Sequence, residues 1–190
     1  MKLNFRILFF LTIFIISCKK NEIQNEELKI ITTFNPKDKN IEENLNLQLG
    51  NYLKAMYGGD ADTVIKYCYP DMFIWLKKEY PAEYSMDMIK KSFLEPVKEL
   101  KRLNAENQIK FEFEIKDITK RIINKNERLY LIVVSGNQSK KFNEYKIGDE
   151  IVAISLDNGT NWTFMIKDPE MTPEILGINF SKEIISKLMD

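Results

Sequence analysis

Phe111-Glu112-Phe113-Glu114-Ile115-Lys116 is the stretch on which the fold turns, because bulky apolar residues alternate one for one with charged ones. A period of two belongs to a half-buried strand, whose successive side chains point to opposite faces. Before this stretch apolar residues recur at helical spacing, and after it come three more runs of strand character. Helices first and a sheet afterwards is the α+β class. The alternation also predicts that this strand has one wet face. Glu112 and Glu114 can be read as a paired carboxylate site or as the solvated side of this strand, and the alternation with Phe111 and Phe113 favours the second reading.

Upstream, Asn40 with Glu43 three residues on reads as an Asn version of the capping box. Ile41, Leu45, Leu49, Tyr52, Leu53 and Met56 then share one side of a helix that stops at Gly58-Gly59. Asp60 recaps a second helix carrying Val64, Ile65 and Cys68 inward until Pro70 interrupts it, and residues 71–80 form a short aromatic helix or turn. Ser85 starts the longest helix, with Met86, Ile89, Phe93, Val97, Leu100 and Leu103 as its stripe and Pro96 as an expected kink. Downstream, strands are expected over residues 128–135, 145–156 and 162–166, with turns at 124–127, 136–143 and 157–161. Connections this short predict an antiparallel meander of four strands. Asp168-Pro169 ends the sheet, and residues 180–189 read as a closing helix capped by Ser181 or Asn179.

The chemistry open to this chain is bounded by what it lacks. It has no histidine and only two cysteines, Cys18 and Cys68. Ser-His-Asp and Cys-His nucleophiles, His-ligated zinc and imidazole shuttles are excluded, and one Cys68 thiol cannot build a thiolate cluster. Carboxylates, tyrosines and lysines remain for acid-base work. No glycine-rich phosphate loop, EF-hand loop or internal repeat is found, and neither a metal nor a cofactor is expected. Equal totals of 28 basic and 28 acidic residues argue against a nucleic-acid partner.

At the N-terminus, Lys2 and Arg6 lead into an apolar run from Ile7 that closes on Ile15-Ile16-Ser17-Cys18. The run is about half the roughly 20 residues a membrane-spanning helix needs. This resembles a bacterial lipoprotein signal peptide with its lipobox. The resemblance implies cleavage after residue 17, thioether attachment of diacylglycerol to Cys18, and usually acylation, typically by palmitate, of the freed amine. Each buried methylene contributes about 0.8 kcal/mol, so two or three chains anchor the protein permanently in a membrane. Lys19 and Lys20 stand where inner-membrane lipoproteins of many enteric bacteria carry Asp, which implies the outer membrane, facing the periplasm. The organisation expected is a signal peptide over residues 1–17, a lipidated tether over 18–39 and one domain over 40–190. The apolar island at residues 28–34 is expected to tack the tether onto the domain. With Cys18 acylated, Cys68 has no disulfide partner and reads as a buried structural thiol.

Tyr52-Leu53-Lys54-Ala55-Met56-Tyr57-Gly58-Gly59-Asp60, with the element order over residues 41–167, resembles the cone-shaped fold shared by nuclear transport factor two, ketosteroid isomerase and scytalone dehydratase. That resemblance implies a curved sheet around the helices and a pocket at the wide end. Catalytic members place an Asp with Tyr or His in it; no position here matches that pattern, so no catalytic residue is carried over. The closing helix departs from the simplest members and is placed over the pocket mouth.

Ser155-x-Asp157-x-Gly159-x-x-Trp162 looks like the Asp-box of sialidase-type propellers. A single copy cannot build a propeller. The physical reading is a hairpin in which the carboxylate accepts turn amides, the glycine takes positive φ and the tryptophan packs back on the sheet. Tyr67, Tyr69, Trp75, Tyr80 and Tyr84 crowd one segment. They either line a pocket for an apolar or sugar-like ligand, for which Tyr67, Tyr69, Trp75 and Tyr84 are the candidates, or plug the end of the cone as core. The function expected is that of an envelope lipoprotein with a ligand-binding or protein-interaction domain. The alternatives are a histidine-free isomerase or dehydratase and an accessory subunit of an envelope complex.

Overall fold

The computed structural model describes residues 29–30, 38–107, 112–137 and 148–190. Their order is β1 (Lys29–Ile30), α1 (Lys39–Gly58), α2 (Ala61–Tyr67), α3 (Pro70–Glu79), α4 (Met86–Asn107), β2 (Glu112–Asn124), β3 (Glu127–Asn137), β4 (Gly148–Ser155), β5 (Thr163–Ile166), α5 (Met171–Leu176) and α6 (Lys182–Met189). The expected α+β class is observed, with helices packed on an antiparallel sheet. The four strands run in sequence order, and β1 adds a two-residue edge, Lys29 opposite Ile123 and Ile30 opposite Ile122.

Local chemistry explains most of the helix ends. Gly59 takes the left-handed conformation (φ 76°) that closes α1, and the Asp60 side chain accepts from Thr63 N–H to start α2. Pro70 stands at the first position of α3, where its missing N–H costs nothing. Ser85 Oγ accepts from Met88 N–H at the head of α4, and α4 runs unbroken through Pro96. Ser181 Oγ caps α6 through Ile184 N–H. The first helix is a correction. Its cap position is Asp38, with no side-chain cap bond, and Asn40 lies inside the first turn. Asp38 is instead paired with Arg128 of β3, so contacts of the folded domain reach back into the segment read as tether.

The middle of the sheet is covered on both sides. Leu129, Tyr130, Leu131 and Ile132 of β3 are buried in succession, as are Ile151 to Ser155 of β4. A strand can bury consecutive residues only if both its faces are covered. One face presents Arg121, Tyr130, Ala153 and Phe164, which are register partners, and α1 and α2 lie on it through Glu42, Tyr52 and Tyr67. The other presents Ile122, Leu129, Leu131, Val152, Ile154 and Met165. Helix α6 crosses this second face, where Lys120 Nζ donates to the carbonyls of Lys187 and Leu188. The closing helix therefore backs the sheet rather than covering an opening on the α1 side. Helix α4 is an outer layer, packed on α1 and α2 with Ile89 in the core and Lys90 paired to Asp62.

Strand β2 runs on to Asn124, well past the alternating stretch, because two irregularities reset its register, between Ile115 and Asp117 and between Ile118 and Lys120. Each bulge inserts one unpaired residue and bends the strand. As a result Ile115, Ile118 and Arg121, three apart, share the α1 face. A strict period of two would have put Asp117 and Thr119 there in place of Ile118, while Arg121 keeps the face of Ile115 because the two shifts cancel.

Candidate functional site

The aromatic segment was the sequence's strongest offer of a site, and its backbone is held against the sheet edge. Cys68 forms a lone parallel bridge with Phe164, and Tyr69 N–H donates to the Phe164 carbonyl (3.0 Å). From there α3 packs on α5. Tyr69 is 2% exposed; its phenol donates to Asp71 Oδ2 (2.6 Å) and its ring stacks on Phe180 (6.4 Å between centroids). Asp71 is itself buried, and the same oxygen accepts from Asn179 Nδ2 (2.6 Å). Burial pushes the Tyr69 phenol well above its ordinary range, and the bond to Asp71 adds to this, so the phenol stays protonated and acts as a donor.

Trp75 is 3% exposed; its Nε1–H donates to Glu174 Oε2 (3.0 Å) and its ring meets Tyr80 edge-on (6.1 Å). Tyr67 and Tyr84 are half-buried; Tyr67 lies against Phe164 (6.1 Å) and the Tyr84 hydroxyl approaches Met86 Sδ (4.0 Å). The ring contacts of Tyr67, Tyr69 and Trp75 thus go to three different partners. The polar handles of Tyr69 and Trp75 tie α3 to α5 and to the link that follows it. In chemical type Tyr69 and Asp71 make an acid-base pair, and in this geometry the phenol's proton is committed to the carboxylate.

The loop between β4 and β5 is built as the hairpin reading requires. Asp157 Oδ1 accepts from Ser155 Oγ (2.8 Å), Thr160 N–H (3.1 Å) and Asn161 N–H (2.9 Å), and Oδ2 from Asn161 Nδ2 (2.6 Å). Burial alone would raise its pKa; these bonds outweigh it and hold the carboxyl below its usual value. Gly159 sits at φ 88°, its N–H donating to Ser155 Oγ (2.8 Å), while buried Trp162 donates from Nε1 to the Gly159 carbonyl (3.0 Å). Helix α1 grips this loop. Asn44 Nδ2 donates to the carbonyls of Gly159 and Thr160, Gln48 Nε2 donates to Thr160, and Trp162 N–H donates to Gln48 Oε1.

A second polar cluster, which sequence reading missed, lies beneath the start of α1. Arg121 Nε donates to Glu42 Oε1 (2.7 Å) and Nη1 to the Ile118 carbonyl (2.9 Å), both side chains being little exposed. Arg128 donates to Tyr130 Oη (3.2 Å) and from Nε and Nη2 to Asn158 Oδ1, and it pairs with Asp38 (3.5 Å). Two guanidiniums facing two carboxylates balance in charge, so the cluster clamps α1, β2, β3 and the Asp157 loop. The sequence signals were slight: Arg128 opens an apolar strand run, and Arg121 lies an even number of residues beyond Ile115, which puts it on the same face once the two bulges cancel.

Cys18 lies outside the described residues, as do the side chains of Glu112 and Glu114. Among the described residues no three His, Cys, Asp or Glu side chains are grouped to hold a metal ion, and no helix is long and apolar enough to cross a membrane. In comparison with known proteins, no family model matches the chain, and neither a curated protein nor a solved structure matches it.

Proposed function

We propose that this chain is an outer-membrane lipoprotein, acylated at Cys18, whose periplasmic domain serves as a protein-interaction or ligand-binding module. The observation that carries the reading is a spacing. The lipobox-like Ile15-Ile16-Ser17-Cys18 ends eleven residue steps before Lys29, the first of the described residues paired into the sheet. A cleavable signal, a short spacer and then a folded domain is the layout a membrane-anchored module needs. The interaction reading is supported over the catalytic one by the fate of the polar groups. Tyr69, Asp71, Trp75, Arg121 and Arg128 all spend their hydrogen bonds inside the fold. Leu47, Ile74 and Leu156 are each more than half exposed, which leaves recognition to the surface.

The test is metabolic labelling with palmitate in cells producing the full chain. Label should enter the wild type and the protein should sediment with outer membranes, while Cys18→Ser should remain as unlabelled precursor. Equal label in Cys18→Ser would overturn the lipoprotein reading. The interaction reading is tested by in vivo crosslinking from the Leu47 and Ile74 surfaces, where a discrete adduct is expected.

A further inference from the structure

The short spacer and the place where the chain enters the domain together orient it. β2 runs into the turn Lys125-Asn126, and β1 pairs antiparallel beside its last residues. The chain from Cys18 must therefore arrive at Lys29 from the side of that turn. The β4–β5 loop is at the same end, since Asn158 N–H donates to the Asn126 carbonyl (2.7 Å). Helix α1 begins there as well, through Asp38 on Arg128. Eleven steps of fully extended chain reach at most about 40 Å. A domain of about 150 residues is roughly 38 Å across. Only a spacer stretched to its limit along the whole flank could bring the opposite end to the bilayer.

Resting on the lipoprotein reading, we infer that the turn end of the sheet is a lipid-facing surface, with Leu156 at its tip in the membrane interface. Leu156 is 55% exposed although it directly follows five buried residues, Ile151 to Ser155. An apolar side chain on a tight, heavily bonded loop suits shallow insertion, because it enters lipid without reordering the loop. Lys39, exposed at this end, is paired with Glu43, so the apolar Leu156 side chain and not a cationic patch carries the contact. The carboxylates at this end are engaged by protein partners: Asp157 by the loop's own donors, Asp38 by Arg128, Glu43 by Lys39 and Glu127 by Asn124.

The test uses the full lipidated chain reconstituted into phosphatidylethanolamine–phosphatidylglycerol vesicles, with a fluorophore on single substitutions Leu156→Cys, Asn126→Cys, Asp117→Cys and Ile166→Cys. Asp117 is exposed and lies opposite Val133, roughly 20 Å along the strand from the turn. Buried Cys68 leaves each introduced thiol as the reactive one. Lipids with nitroxide headgroups should quench at Leu156→Cys and Asn126→Cys at least twofold more than at Asp117→Cys and Ile166→Cys. Equal quenching at all four, or stronger quenching at Asp117→Cys, overturns the orientation while leaving the anchor intact, and frees this end for a protein partner. Failure of the chain to float with vesicles overturns the anchor itself, and the orientation with it.

Discussion

Replacing Gly159 by alanine should be the most damaging single-methyl change in the domain, for two separable reasons. The residue sits at φ 88°, where an L side chain is strained by about 1–2 kcal/mol. The added Cβ would also meet Ile41 Cγ2 at 2.5 Å, too close for any real contact. Helix α1 cannot back away freely, because Asn44 and Gln48 bind the same loop through four hydrogen bonds. Overpacking of this kind costs roughly 1–3 kcal/mol. The total expected for Gly159→Ala is therefore about 2–5 kcal/mol, a large part of a typical domain's stability. Urea unfolding should show a lower midpoint at unchanged slope. Ile41→Ala removes the colliding methyl, so in Gly159→Ala/Ile41→Ala the steric part vanishes and only the backbone strain and the loss of Ile41 packing remain. A coupling of about 1–3 kcal/mol follows. Strict additivity, or a Gly159→Ala protein within about 0.5 kcal/mol of wild type, would refute the account of this loop.

Three further outcomes follow from the described contacts. Glu42→Gln should cost roughly 2–4 kcal/mol by leaving Arg121 without its counter-charge, and Glu42→Leu/Arg121→Met should recover at least half of the loss in chemical denaturation. The Asp157 carboxyl titrates lower in the folded state than in the unfolded chain, so its contribution to stability is present above about pH 4 and is lost as pH falls through the folded-state value. Asp157→Asn should flatten that acid limb in thermal melts, and an unchanged limb would show that the loop bonds do not favour the ionised form. Burial pushes the Cys68 thiol up to about 12, so maleimide at neutral pH should leave the native protein unmodified at this site and react fully in urea; prompt native labelling would contradict the burial.

The polar clusters show where legibility ends. Ser155, Asp157, Gly159 and Trp162 carry their bonds within eight residues of chain, so the loop could be read from spacing alone. Asp60, Pro70, Ser85 and Ser181 were likewise visible, since each acts on backbone groups one to three residues away. Tyr69 and Trp75 stood out as aromatic, but Asn179, which shares the Asp71 carboxylate with Tyr69, and Glu174, which accepts from Trp75, lie about a hundred residues on. No local pattern could say that their polar atoms meet inside the fold. The short helix α5 was also unexpected, because Pro173 within a six-residue segment offers no periodicity to read.

By itself, then, the sequence determined the class of the fold, the order of its main helices and strands and the chemistry of its turns, because these depend on periodicity and on hydrogen bonds between near neighbours. Tertiary structure alone decided that both sheet faces are covered, and that Ile118 faces α1. The first depends on where α6 lands, and the consecutive apolar runs of β3 and β4 hinted at it without naming the cover. The second depends on the first of two bulges in β2, which carries Ile118 to the face of Ile115; the next bulge reverses the shift, so Arg121 keeps that face with or without the pair. Such a shift is settled by cross-strand pairing and packing across the sheet, which act between residues far apart in the chain.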